Sequence, residues 1–240
     1  MEAAPAPSTA SNLEKAKDLR DAGVRAMAEG NFRDAPRFFH QCILLARGVD
    51  QNSAVALHKH STLTVAIQPL VDQSENSGVL VDEQTKIAAN ECANRTAAEE
   101  STRSEAVGLM VECYLNLAEC VLNGSPRSRE DYNRALAYCD NVLAYNPTEE
   151  QKEAATISKG IAFMKLSDFK NALAHFHMLP QNEVATRLID EAHRKQTDER
   201  RKRDLLIQAN FARQHQNNER NGHADGGAAM NGHAQNGFVR

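Results

Sequence analysis

The residues of this chain best suited to chemistry are its cysteines and histidines. Cys42, Cys92, Cys113, Cys120 and Cys139 are odd in number and widely spaced, with no CxxC pair. Buried reduced thiols in a cytosolic protein are the plain reading of that pattern. His58 and His60 flank Lys59. A metal there would need further ligands, with Asp72 and Cys92 offered only by proximity in sequence, so solvated loop histidines are expected. The motif NGHA occurs at 221–224 and again at 231–234, in a stretch rich in Asn, Gly, His and Gln. No GxSxG elbow, phosphate-binding loop, HExxH pair or supported carboxylate pair occurs. The expectation is therefore no enzyme, no cofactor and no metal.

Charge offers a second kind of chemistry. Residues 187–203 hold seven Arg or Lys against four Asp or Glu, followed by Leu205, Leu206, Ile207 and Phe211. Arg194, Lys195, Arg200, Arg201, Lys202 and Arg203 form a possible partner-binding basic helix. Such a segment can serve as a calmodulin target or contact an acidic surface; a solvated helix end is the simpler reading. The net charge of −4 gives no global pull toward nucleic acid or membrane. Met1 is followed by Ala/Pro-rich sequence, so no signal peptide is read. No apolar run approaches the roughly 20 residues of a membrane span. The expected setting is cytoplasmic, with nuclear access possible.

The elements that must position these residues read as helices. Aromatics are 5% of the chain and Trp is absent, which fits an Ala/Leu-rich helical array better than a β sandwich. The organising stretch is Ala16–Arg47. Leu19, Ala22, Gly23 and Ala26 share one helical face, and Phe32, Ala35, Phe39 and Cys42 repeat the spacing after the corner Gly30-Asn31. The small residues let a second helix approach closely. A hairpin of this kind buries both faces only by stacking on copies of itself. The pattern resembles a tetratricopeptide repeat, a unit of about 34 residues. Ala26 stands where that repeat usually has tyrosine, and Arg47 where it closes on proline.

Two further copies follow. Leu117 and Ala118, then Tyr132, Ala135, Cys139, Val142 and Pro147, take the repeat positions in the second, about 111–149, around a corner some five residues longer. Gly160, Phe163, Phe169, Ala172 and Phe176 take them in the third, about 153–181, with Ser167 in place of the corner glycine. Residues 1–11 are expected to be disordered and Ser11 or Asn12 to cap the first helix, with repeat 1 spanning about 16–49. Residues 48–81 read as an inserted loop in which Leu63, Val65 and Ile67 alternate like a strand. Helical composition returns near Asp82, with a firm helix over about 104–122. Residues 182–215 read as one capping helix using Val184, Leu188 and Ala192, and 216–240 as a disordered tail. The expected architecture is all-α: three helical hairpins over 12–215 with a long C-terminal capping helix.

Stacked hairpins curve, and their first helices line a groove that can take an extended peptide. The groove residues expected here are Arg20, Val24, Met27, Asn116, Glu119, Ile157, Ile161 and Met164. In chaperone-binding repeats a lysine, two asparagines and a lysine–arginine pair grip the C-terminal carboxylate of a peptide. On that resemblance Arg20 stands for the lysine and Asn116 matches, whereas Val24, Ala154 and Ser158 depart. The arrangement as a whole resembles the tetratricopeptide repeat protein 9 family, stand-alone relatives of the repeat domains of FK506-binding immunophilins and aryl-hydrocarbon-receptor-interacting proteins. ARGVD at 46–50, CYLNLAECVL at 113–122, EDYNRALAYCDNVL at 130–143 and RRKRDLLIQANFA at 200–212 carry that resemblance. It implies a co-chaperone-like adaptor for a protein or peptide partner, such as a chaperone C-terminal tail. A non-chaperone partner, for example a cytoskeletal protein bound through the apolar groove or the basic helix, is the alternative. No nucleic acid or membrane is implied.

Overall fold

The computed structural model describes residues 9–52, 83–124 and 128–224, with side chains described over 10–52, 94–124 and 128–217. Among them are seven helices and no strand, as an all-α chain requires. They are α1 Thr9–Ala28, α2 over 35–52, α3 Glu83–Asn123, α4 Arg129–Ala144, α5 Glu149–Lys165, α6 Phe169–His177 and α7 Glu183–Ala224. The chain divides into two units, Met1–Ile189 and Asp190–Arg240, and the boundary falls inside α7.

The turn joining α1 to α2 recurs 137 residues later between α5 and α6. In the first, Asn31 N–H donates to the Ala26 carbonyl and Gly30 N–H to that of Met27. In the second, Asp168 N–H donates to Phe163 and Ser167 N–H to Met164. Each is a helix stop whose last residue adopts positive φ, 77° at Gly30 and 60° at Ser167. The next helix is capped in the same way. Asn31 Oδ1 accepts from Asp34 N–H, and Asp168 Oδ1 from Asn171 N–H. The side chains even pair reciprocally, Asn31 Nδ2 with Asp34 and Asn171 Nδ2 with Asp168.

Small-to-large contact closes both hairpins. Gly23 lies against the Phe39 ring and Gly160 against the Phe176 ring, 16 residues on in each case. A Cβ at Gly23 would sit 2.5 Å from the Phe39 ring, well inside contact distance. At the equivalent positions of α3 and α4 stand Ala118 and Cys139, both fully buried. There the large partner has shrunk and the glycine has gained its methyl.

The hairpins meet through α3, which packs on α1 on one side and on α4 and α5 on the other. Met110 and Leu117 of α3 share one core cluster with Phe39, Val49 and Val142, all fully buried. A tyrosine stack runs along the seam. Tyr114 stacks on Tyr138 and Tyr145, each at 6.3 Å between ring centres. Arg47 of α2 donates to the Tyr114 hydroxyl at 3.0 Å, and the Tyr138 hydroxyl lies 3.4 Å from His40 Nε2. Burial lowers the His40 pKa and raises that of Tyr138.

Helix starts follow capping chemistry. Ser128 and Asp131 form a capping box at α4, and Thr148 and Gln151 form another at α5. Asn182 accepts from Val184 and Ala185 N–H at the start of α7 and donates to Glu153 of α5.

Several expected boundaries move. The first helix begins at Thr9, ahead of the Ser11 or Asn12 cap, so 9–11 are helical. Helix α2 runs through residue 52, into the expected insert; the remainder of that insert, with His58, His60 and Asp72, lies outside the described residues. Helix α3 starts at Glu83, beside the expected return of helical composition near Asp82, and runs unbroken into the firm part over 104–122. Helix α7 continues to Ala224, beyond the expected stop at 215, and residues 1–8 and 225–240 lie outside the described residues. Of its expected inward positions Ala192 is buried and Leu188 half-buried, whereas Val184 is 51% exposed and Ala185 is buried in its place.

Candidate interaction groove

Four of the side chains placed on the inner face by repeat position, Arg20, Val24, Leu115 and Asn116, converge. With Asp21, Glu112 and Gln151 they line a cleft of about 440 Å³ where α1, α3 and the first turn of α5 meet. Val24 is 43% exposed there, and Leu115 and Asn116 are half-buried.

The electrostatics of this cleft are set by its own carboxylates. Arg20 Nη1 donates to Glu112 Oε2 at 2.6 Å, and Arg20 Nε to Asp21 Oδ1 at 2.7 Å. The Glu112 hydrogen bond raises the Arg20 pKa further. The cation expected to meet a peptide carboxylate is therefore already engaged by two acids of its own chain. One turn back, Lys17 Nζ bridges to Glu105 at 2.6 Å and Glu14 at 2.8 Å. Glu105, Glu112 and Glu119 stand seven residues apart along α3 and so share one face. Glu119 is exposed, accepts only from Asn123 Nδ2, and meets no cation among the described residues.

The other expected groove residues are placed differently. Met27 packs half-buried against the core. Ile157 and Ile161 are half-buried on α5. Met164 is 6% exposed, so it belongs to the packing and offers no groove surface. Asp21 and Gln151 were not anticipated. Asp21 had a signal, lying directly beside Arg20, whereas Gln151 enters only because the cap of α5 turns it toward the cleft.

A larger hollow of about 650 Å³ lies on the α1–α2 hairpin alone, among Arg25, Glu29, Asp34, Arg37 and Phe38. It joins no second hairpin and holds none of the expected residues. Of the buried thiols, Cys113 and Cys139 are held neutral, whereas a hydrogen bond with Cys113 lowers the Cys42 pKa. A hydrogen bond with Cys42, together with burial, drives the Cys113 pKa well up, and burial pushes Cys139 up to about 12. Among the described residues no group of three or more His, Cys, Asp or Glu is placed to hold a metal, and no helix is long and apolar enough to cross a membrane.

In the second unit, Lys195 bridges to Glu191 at 2.6 Å. Arg194, Arg200, Arg201, Lys202 and Arg203 are exposed, and Leu205, Leu206, Ile207 and Phe211 are 46–67% exposed.

No protein-family sequence profile matches the chain.

Proposed function

We propose that this chain is a protein–protein interaction adaptor of the tetratricopeptide-repeat type, working where the resemblance to the tetratricopeptide repeat protein 9 family puts it, in the cytoplasm. The reading rests on the recurrence of one hairpin design. The same corner, the same cap and the same glycine–phenylalanine contact occur 137 residues apart. The observation that carries the function is the cleft between hairpins, where Arg20, Val24, Leu115 and Asn116 come together with room for a peptide. A co-chaperone role would use Arg20 and Asn116 on a terminal carboxylate.

The alternative, a non-chaperone partner, is favoured by one observation: Arg20 is bound by Glu112 and Asp21. An incoming carboxylate would have to displace Glu112 and leave it unpaired, which costs about 1–3 kcal/mol.

The test is calorimetric titration of the chain with an acidic chaperone C-terminal peptide ending in a free carboxylate, beside Arg20→Ala and Asn116→Ala. Micromolar binding lost in both variants supports the co-chaperone reading. Absence of binding moves the groove to a partner of different charge.

A further inference from the structure

The glutamates of α3 form a row with two rungs closed and one open. Glu105 takes Lys17 and Glu112 takes Arg20, each at 2.6 Å, so the row already displays the chemistry it accepts. One heptad on stands Glu119, where α1 offers no cation. The next inward residue of α1 after Lys17 and Arg20 is Val24. It is an exposed apolar side chain beside half-buried Leu115.

From this we infer that the groove takes a segment of a partner protein that is cationic and apolar, not one ending in a carboxylate. A Lys or Arg of the partner closes the third rung on Glu119, and an apolar side chain one helical turn away covers Val24 and Leu115. Two arguments support this occupant. The charge left uncompensated on the face is negative, because Arg20 is held by Glu112 and Asp21. The apolar surface lies next to that charge along the same helices. An acidic segment would place its carboxylates against Glu119 and Asp21, and like charges there are unfavourable.

This inference deepens the adaptor reading and rests on its groove. It is tested on the full chain with two labelled decapeptides of equal length. One alternates Leu and Lys at helical spacing; the other is acidic with a free C-terminal carboxylate. Binding is followed by fluorescence anisotropy. The Leu/Lys peptide should bind more tightly. Glu119→Gln should weaken it about three- to fivefold, the range expected of one exposed ion pair, and should flatten its salt dependence. Val24→Asp should weaken it further than a new attraction to lysine can restore, by at least as much as Glu119→Gln. Glu150→Gln, a carboxylate on the exposed first turn of α5 outside the cleft, should change nothing. If the acidic peptide binds and loses binding in Arg20→Ala, the charge assignment is overturned while the groove stands. If the Leu/Lys peptide binds equally well to Glu119→Gln, Val24→Asp and Glu150→Gln, adhesion is nonspecific and the inference fails. If neither peptide binds, inference and groove fall together.

Discussion

Two glycines in this chain should be intolerant of a single methyl group and two should welcome it. Gly23 and Gly160 face the rings of Phe39 and Phe176; three Phe39 carbons would lie 2.5–2.9 Å from a Cβ at residue 23. Ordinary carbon contacts lie at about 3.5–4.0 Å, so the ring must move by roughly 1 Å. Phe39 and Phe176 are fully buried, so a ring that shifts must displace packed neighbours. Overpacking of this kind costs roughly 1–3 kcal/mol. Against it stands the helix preference for Ala over Gly, about 0.5–1 kcal/mol. Gly23→Ala and Gly160→Ala should therefore lose roughly 0.5–2 kcal/mol net. At Gly48 and Gly108 a Cβ meets nothing within 4 Å, so Ala there should add about 0.5–1 kcal/mol. Position 118 shows how the clash is relieved, since Ala118 is matched by Cys139. Phe39→Cys alone opens a cavity, but Gly23→Ala with Phe39→Cys should cost less than the sum of the two by about 0.5–3 kcal/mol. Urea unfolding at constant m-value measures all of these. Four glycine variants that all raise the midpoint, or strict additivity in the pair, would refute the packing argument.

Other outcomes follow from the corners and the seam. Ser167 holds φ 60° without being glycine, so Ser167→Gly should stabilise by about 1 kcal/mol, whereas Gly30→Ala at φ 77° should destabilise by a similar amount; thermal melts decide both signs. Partial desolvation holds the His40 pKa below its ordinary value, although the side chain stays exposed on one side. The unfolded chain takes up the proton first, near pH 6.5, so stability is whole above that pH and falls as acid carries the solution below it. The loss in melting temperature between about pH 7.5 and about pH 5.5 should shrink in His40→Gln, and an unchanged loss would remove His40 from the account.

How much of this was legible in sequence depended on whether the determining contacts were local. The corners were readable because Gly30-Asn31 and Ser167-Asp168 are breakers between two apolar periods, and the structure gives them the same hydrogen bonds. A close helix approach at Gly23 was readable from spacing, and the structure puts the Phe39 ring there. The start of α3 at Glu83 was readable from composition, which turns helical near Asp82, but its first twenty residues have no apolar stripe, so only 104–122 could be read as a firm helix. At the start of α7 Ala185 is buried and not Val184, because the pair offers two apolar candidates and close approach selects the smaller, while Ala192 is buried as read. In the groove, Arg20 and Asn116 were found from repeat position. The partner of Arg20 was not, since Glu112 lies 92 residues away and no periodicity links them. That one distant contact occupies the cation that repeat position offers to a peptide carboxylate.

The buried thiols have a kinetic consequence. Cys42, Cys113, Cys120 and Cys139 are 0–1% exposed, and Cys113 and Cys139 are held as neutral thiols. A thiol in that state reacts with an alkylating reagent only when its helix opens, and then at a rate set by the opening free energy. Helices α2, α3 and α4 each carry at least one such group, while no cysteine follows residue 139. Alkylation followed by peptide mapping thus reports the breathing of the first two hairpins separately, one helix at a time, and is blind to the third.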